Sequence, residues 1–174
     1  MREELEVKLR VEDPERVSEA ISKIGGQLIA SVVEEDTYFA HPCRDLASTD
    51  EALRLRSSDG ILELTYKGPR ASAEGAKSRP EVTLRLQDAG SALELLDRLG
   101  FRRVALVRKR RSYYRVGAAI VTLDDVDGLG TFVELEAADA AIGVQGLREI
   151  ARELGIDWKP VEKTYLEMLL SDRK

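Results

Sequence analysis

The sequence contains almost no sulfur or imidazole ligands. Cys43 is its only cysteine and His41 its only histidine among 174 residues. One thiol can form neither an intrachain disulfide nor a cysteine-rich metal site, which is typical of a reducing compartment, and we expect the cytoplasm. A lone loop histidine without a ligand partner at helical spacing is more typical of a surface residue than of a catalytic one.

Long apolar runs and a basic excess are also missing. No segment approaches the roughly 20 apolar residues that span a membrane, and the chain is charged from Arg2 onward, so we expect neither a signal peptide nor a membrane anchor. The net charge of −5 argues against a general nucleic-acid-binding surface. Any anion must therefore be bound by a local cluster. We expect a single domain over residues 1–174.

Charged residues are abundant, and many alternate with aliphatic residues. Glu4, Glu6 and Lys8 do so at the N-terminus, and Glu134 and Glu136 repeat the pattern later. Because successive side chains of a strand point to opposite faces, the charged residues of each segment share one face. A solvated antiparallel strand would show the same alternation, so a single segment decides nothing.

The order of the elements predicts the fold class. About eight strands come in runs joined by short turns, and helices are predicted near residues 14–24, 89–99, 144–154 and 165–170. This pattern is typical of an α+β fold around a large antiparallel sheet. The segment from Arg70 to Ser78 is small and polar, which predicts a mobile loop.

The helices need apolar partners, and the aliphatic strand faces can provide them. The charged faces would then point inward on a closed or strongly curved sheet. Buried charges at this density require neutralisation by water, a metal and a polyanion. Arginine and lysine pairs suit phosphate oxygens, whereas carboxylates without histidine or cysteine suit Mg²⁺ or Mn²⁺. The sequence therefore predicts a site for a metal-bound oligophosphate.

The N-terminal motif Glu4-x-Glu6-x-Lys8 resembles the signature of the CYTH superfamily, the triphosphate tunnel metalloenzymes. This superfamily includes class IV adenylyl cyclases, thiamine triphosphatases and inorganic triphosphatases. Further segments resemble the family's motifs in the family's order: Asp36-x-Tyr38-Phe39, Glu51 to Arg56, Leu64 to Pro69, Lys109-x-Arg111, Leu123 to Gly130, and Glu134-x-Glu136.

The resemblance implies an eight-stranded antiparallel tunnel, covered outside by three to four helices, that binds a small-molecule triphosphate. The metal ligands would be Glu4, Glu6, Glu134 and Glu136, and the catalytic residues Glu4, Glu6, Lys8 and Glu136. The phosphate ligands would be Lys8, Arg54, Arg56, Lys67, Lys109 and Arg111, with Lys163 as a further candidate. Glu81 and Asp124 would be secondary acids. The resemblance also favours a homodimer.

These motifs are compatible with two reactions. The segments from Tyr38 to Arg56 and from Leu64 to Pro69 look most like class IV adenylyl cyclases, which convert ATP to cyclic AMP and pyrophosphate. Triphosphatases keep the same arginine and glutamate pairs, so hydrolysis of thiamine triphosphate, tripolyphosphate or a nucleoside triphosphate is the alternative. A non-catalytic triphosphate-binding module is a third reading, because binding and catalysis need nearly the same residues.

Overall fold

A computed structural model describes residues 2–73 and 76–171, and only the main chain of residues 2–4, 72, 73 and 140. Its strands β1 to β9, in chain order, are Arg2–Arg10, Gln27–Ala40, Ala52–Ser58, Ile61–Lys67, Ala71–Ala73, Ala76–Leu86, Arg102–Val116, Ala119–Val126 and Gly130–Ala137. The helices α1 to α4 are Pro14–Lys23, Ala89–Arg98, Gly143–Glu153 and Tyr165–Ser171, and a short 3₁₀ turn covers Ala140–Ile142. None of these described helices has the length and apolar character needed to cross a membrane.

Eight of the strands form a closed antiparallel barrel. The order around the barrel is β1-β9-β8-β7-β2-β3-β4-β6, and β6 pairs again with β1. Strand β6 closes the barrel because residues 77–81 pair with β1 while residues 81–86 pair with β4. The short β5 pairs with the beginning of β6. The predicted α+β fold, a closed eight-stranded tunnel with helices outside, is confirmed.

The aliphatic strand faces point outward and form the core with the helices. Val7 and Leu9 of β1 are almost completely buried in a cluster with residues of α1 and α3. A second cluster joins α2 to Leu55 and Leu62 of β3 and β4. Since the aliphatic faces pack against the helices, the alternate faces with their charges are left to line the inside of the barrel.

Helix α1 begins where the sequence predicts it. Asp13 caps the helix by accepting a hydrogen bond from the main-chain N–H of Arg16 at 2.9 Å, and Pro14 occupies the first turn. Proline costs little at this position because its missing N–H would have no partner within the helix.

The prediction of a mobile loop from Arg70 to Ser78 was wrong for its described part. Ala71–Ala73 forms β5, and β6 already begins at Ala76. Ser78 pairs with Leu5 and Lys77 with Glu6 across the barrel seam. These ladder hydrogen bonds override the weak strand preference of small polar residues, because strand propensity depends strongly on the neighbouring strands.

Candidate active site

The barrel encloses a charged cavity of about 300 Å³. Among the described residues, seven basic and six acidic side chains line this cavity. They are Lys8, Arg54, Arg56, Lys67, Arg79, Lys109 and Arg111, and Glu6, Asp36, Glu63, Glu81, Glu134 and Glu136. The period-two alternation of the strands explains this concentration, because every second residue points inward.

The structure brings together most of the predicted site residues. Those that line the cavity are Glu6, Lys8, Arg54, Arg56, Lys67, Glu81, Lys109, Arg111, Glu134 and Glu136. Asp124 is fully buried and bonded to Arg111. The side chain of Glu4 lies outside the described residues. Lys163 is exposed, with its Nζ 3.2 Å from Ser171 Oγ, and it does not line the cavity.

Two buried acids of β2, Glu34 and Asp36, hold the basic residues in place. Asp36 accepts two hydrogen bonds from Arg56, with Nε–Oδ1 at 2.6 Å and Nη2–Oδ2 at 2.7 Å, and lies 3.2 Å from Lys109 Nζ. Glu34 Oε2 lies 3.0 Å from both Arg56 Nη1 and Lys109 Nζ. Glu34 was missing from the predicted site, and Asp36 appeared only as part of a motif. The period-two alternation of the strand could have found both, because it places them on the same face of β2 as Tyr38.

The charges around these two acids keep them ionised. Burial alone would raise the pKa of Asp36, but Lys109, Arg54 and Arg56 hold it well below its ordinary value. Burial acts in the same direction on Glu34, whose pKa is nevertheless lowered by Lys109, Arg111 and Arg56. Both carboxylates therefore act as fixed negative charges that orient Arg56 and Lys109 toward the cavity.

A second cluster lies on β7, β8 and β9 and is closed by α4. Arg111 donates to Asp124, with Nε–Oδ1 at 2.6 Å, and to Glu134, whose Oε1 lies 3.3 Å from Lys8 Nζ. Burial would raise the pKa of Glu134, but Arg111 and Lys8 lower it. Tyr165 donates to Asp124 Oδ2 at 2.7 Å, and its ring centroid lies 4.0 Å from Lys8 Nζ. The periodicity of the sequence did not predict that Tyr165 lies at this site.

The basic side chains of the cavity lie close to one another, although most of them also have a carboxylate partner. Burial lowers the pKa of Lys67 and the neighbouring Arg54 lowers it further, although Glu81 accepts a hydrogen bond from this lysine. Burial and Arg111 likewise lower the pKa of Lys109. Within the described residues the buried Nε of Arg54 has no hydrogen-bond acceptor. An anion in the cavity would supply that acceptor and stabilise these cations, which is the property of a phosphate site.

The same cavity contains carboxylates suited to a hard divalent ion. Glu6 on β1 and Glu136 on β9 are directly opposite each other in the strand register, and both line the cavity. In the part of the chain that the structure describes, no three acidic, histidine or cysteine side chains form a ready metal-binding group. The pair fits Mg²⁺ or Mn²⁺ in its donor chemistry, because Mg²⁺ commonly binds one or two carboxylates together with substrate phosphates.

Comparison with known proteins agrees with this geometry. Residues 2–165 match the family model described as the CYTH domain. The chain belongs to the CYTH family. The predicted resemblance is thus confirmed, and it rests on nearly the whole described barrel rather than on one motif.

Individual CYTH relatives cover almost the same length. A Methanocaldococcus jannaschii protein, provisionally named an adenylate cyclase, is 35% identical over 95% of this chain and 97% of its own. The Aeromonas hydrophila protein named adenylate cyclase CyaB is 32% identical, over 91% of this chain and 84% of its own. A solved Pyrococcus horikoshii structure is 37% identical with a TM-score of 0.87, covering 98% of this chain and 99% of that one.

The buried acids predict that the protein loses stability in acid. Asp36 has an ordinary pKa of 3.8 and Glu34 and Glu134 have ordinary values of 4.5, and all three values are lowered in the fold. Their contribution to stability is complete above these ordinary values and is lost as the pH falls toward and through the lower folded values. The urea midpoint should therefore fall steadily between about pH 5 and pH 3.

A matched pair of variants tests whether the buried carboxyls cause this loss of stability in acid. Asp36→Asn removes one of the three titrating carboxyls, so its urea midpoint should depend less on pH than that of the wild type. Asp97→Asn alters an exposed acid of α2 and should leave the slope of the wild type unchanged. A wild-type midpoint that stays constant over this pH range would contradict the prediction.

Proposed function

We propose that the protein is a divalent-metal-dependent enzyme that acts on a triphosphate inside the barrel, and that it converts ATP to cyclic AMP and pyrophosphate. The observation that carries the proposal is the barrel cavity itself, in which seven basic side chains converge and the buried Nε of Arg54 has no hydrogen-bond acceptor among the described residues. The adenylate cyclase names of the Methanocaldococcus jannaschii and Aeromonas hydrophila relatives support the cyclase reaction.

The side chains of the cavity divide into three roles in this proposal. Arg56 and Lys109, held by Asp36, bind phosphate oxygens, and their fixed positions reduce the reorganisation needed as charge develops. Lys8, held by Glu134, contributes a further ammonium. A Mg²⁺ or Mn²⁺ bound by Glu6 and Glu136 would polarise phosphate oxygens and neutralise the charge of the leaving group.

The cyclase reaction exchanges one P–O bond for another and releases one proton. The ribose 3′-hydroxyl oxygen attacks the α-phosphorus and its proton passes to water, while the bond from that phosphorus to the bridging oxygen breaks and pyrophosphate leaves with the electron pair. The basic side chains stabilise the charge that accumulates on this pyrophosphate. The chain's remaining task is to hold the 3′-oxygen in line, which requires contacts to the nucleoside as well as to the phosphates.

Triphosphate hydrolysis is the alternative that the same cavity supports. Water would attack the terminal phosphorus, and the bond from that phosphorus to the bridging oxygen would break, which yields orthophosphate and a diphosphate. Only the inner phosphate and metal ligands would be needed. The candidate substrates are thiamine triphosphate, inorganic tripolyphosphate and nucleoside triphosphates. A non-catalytic binding module would use the same residues and yield no product.

Product analysis separates these functions. The protein is incubated with ATP, thiamine triphosphate or tripolyphosphate, each with Mg²⁺ and with Mn²⁺, and the products are separated by ion-exchange chromatography. We expect cyclic AMP and pyrophosphate in equal amounts from ATP. Orthophosphate release without cyclic AMP would show that the protein is a triphosphatase and not a cyclase. Tight tripolyphosphate binding without any product after long incubation would indicate the binding module.

A further inference from the structure

The first turn of α4 is fixed to the barrel by two basic side chains that do not line the charged cavity. Arg70, between β4 and β5, donates to Glu167 with Nη1–Oε2 at 3.0 Å and Nη2–Oε1 at 2.7 Å. Its Nη1 also lies 3.3 Å from the main-chain oxygen of Glu162. Lys77 of β6 is buried, donates to the same oxygen and lies 3.2 Å from the main-chain oxygen of Val161. Residues 161–167 are thus held by cations of two neighbouring segments.

Arg70 is itself held by Asp50, which lies just before β3. Asp50 Oδ2 accepts from the main-chain N–H of Arg70 at 2.7 Å and from its Nε at 3.0 Å, and Oδ1 lies 2.6 Å from Nη2. The main-chain oxygen of Asp50 accepts from Nη2 of Arg79, which lines the cavity. A guanidinium with carboxylates on both sides has one fixed orientation, unlike the long side chains of an isolated surface ion pair.

Glu167 connects this guanidinium to the start of α4. Its Oε2 accepts from the main-chain N–H of Thr164 at 2.6 Å, and Thr164 Oγ1 accepts from the main-chain N–H of Glu167 at 3.2 Å. This reciprocal pair is a capping box, which fixes the beginning of a helix. Burial would raise the pKa of Glu167, but hydrogen bonds from Arg70 and Thr164 lower it to about 2. The carboxylate is therefore charged at neutral pH and holds both partners.

Tyr165 is the residue through which this arrangement reaches the cavity. It is the first residue of α4 and is 6% exposed. Its hydroxyl donates to Asp124 at 2.7 Å, and its ring centroid lies 4.0 Å from Lys8 Nζ. Asp124 in turn accepts a hydrogen bond from Arg111. A shift of the first turn of α4 would therefore displace the groups that orient two cations of the cavity.

We propose that Arg70 is a positioning residue for the phosphate site and acts through the first turn of α4. Tyr165, held by that turn, orients Lys8 directly and Arg111 through Asp124. Cations that are already aligned need little reorganisation when they meet phosphate oxygens. The inference rests on the proposed function for the anion in the cavity, and it applies to the cyclase and to the triphosphatase alike.

Removal of the guanidinium tests the proposal. The dissociation constant of tripolyphosphate is measured by calorimetry in EDTA, at a temperature where melting curves show each variant to be folded. Arg70→Ala should weaken binding about tenfold, because displaced cations lose contact with the phosphates. The kcat for any triphosphate that the wild type converts should fall as well. Arg98→Ala removes an exposed arginine of α2 that lies 3.2 Å from Glu94 and should change neither quantity. A purely structural role of Arg70 would lower the melting temperature and leave the affinity of the folded variant unchanged.

Glu167→Gln tests the same contact from the other side. Glutamine can still accept the hydrogen bond of the capping box, but it lacks the charge that holds Arg70. This variant should fold like the wild type and weaken tripolyphosphate by a smaller factor, about threefold. If Arg70→Ala does not fold, Glu167→Gln alone decides, and wild-type affinity in it would overturn the proposal.

A double-mutant cycle tests the route through Tyr165. Tyr165→Leu keeps an apolar side chain but removes the hydroxyl and the ring that contact Asp124 and Lys8. Adding Arg70→Ala to this variant should weaken tripolyphosphate by less than about twofold more. A further tenfold loss would show that Arg70 acts independently of Tyr165 and would contradict the proposal. If Tyr165→Leu does not fold, the cycle of Arg70→Ala with Glu167→Gln replaces it, and additive losses there have the same meaning.

The outcomes separate this inference from the proposed function. If the wild type binds tripolyphosphate and both Arg70→Ala and Glu167→Gln bind it equally well, Arg70 is not a positioning residue and the function of the barrel stands. If the wild type does not bind tripolyphosphate, the proposed function fails and this inference fails with it.

Discussion

Alanine in place of Glu6 or Glu136 should abolish turnover, with a loss of about a thousandfold or more in kcat for every triphosphate that the wild-type protein converts. The two residues are opposite each other on β1 and β9 and line the cavity, so each variant removes one of the two carboxylates proposed to hold the metal. The loss should appear in steady-state assays with saturating Mn²⁺. It should not be reversed by more metal, because the missing oxygen ligands cannot be replaced by concentration alone.

Binding and folding distinguish this loss from a damaged barrel. Both variants keep Arg56, Lys109 and their β2 partners, so tripolyphosphate affinity measured in EDTA should remain close to that of the wild type. Glu12→Ala changes an exposed acid just after β1 and should retain full activity. Wild-type turnover in both cavity variants at saturating metal would show that the metal ligands are assigned to the wrong residues.

Asparagine in place of Asp36 should destabilise the empty protein by about 3–5 kcal/mol, the cost of breaking a buried ion pair by removing one partner. Asp36 is 1% exposed and contacts the guanidinium of Arg56 and the ammonium of Lys109. Asparagine preserves the shape of the side chain but not its charge, so Arg56 and Lys109 each lose one of two carboxylate partners and keep only Glu34. Urea denaturation at pH 7 measures the difference in the free energy of unfolding.

Ligand rescue makes this prediction specific to an anion site. Tripolyphosphate should raise the melting temperature of Asp36→Asn more than that of the wild type, because the ligand supplies part of the missing negative charge. Asp125→Asn removes an exposed partner of Arg110 and should cost about 0–1 kcal/mol, with no change in ligand stabilisation. A variant as stable as the wild type, or one that tripolyphosphate does not stabilise, would contradict the assigned role of Asp36.

The inside of the barrel was largely predictable from alternation. Residues such as Arg54 and Arg56 share a strand face whatever the partner strand is, and the need to cover the aliphatic face decides which side is interior. The pairing of charges was not predictable in this way. That Asp36 contacts both Arg56 and Lys109 depends on β2 lying between β3 and β7, which is a property of the strand order.

The helical part of the site was harder to predict. Helix periodicity indicates which residues form the apolar face, but not which residues of the barrel each of them contacts. Tyr165 and Lys163 are two residues apart, yet Tyr165 is buried against Asp124 and Lys163 is exposed. A second cavity, of about 560 Å³ beside the barrel, was unpredictable for the same reason. It depends on the β-bulge that leaves Val104 unpaired between β2 and β7 and on the position of α4, and neither of these leaves a period in the sequence.

The way in which the barrel closes also determines when the site can form as the chain folds. The N-terminal strand has no partner among its sequence neighbours, since Glu6 pairs with Lys77 on one side and with Glu136 on the other. During synthesis one edge of β1 has no partner until residues 77–81 have emerged, and the other has none until residues 132–136 have emerged. Pairings at such sequence distances slow folding and leave open edges that promote aggregation of incomplete chains. Glu6 can meet Glu136 only after β9 has been synthesised, so chains that end before this strand lack the carboxylate pair.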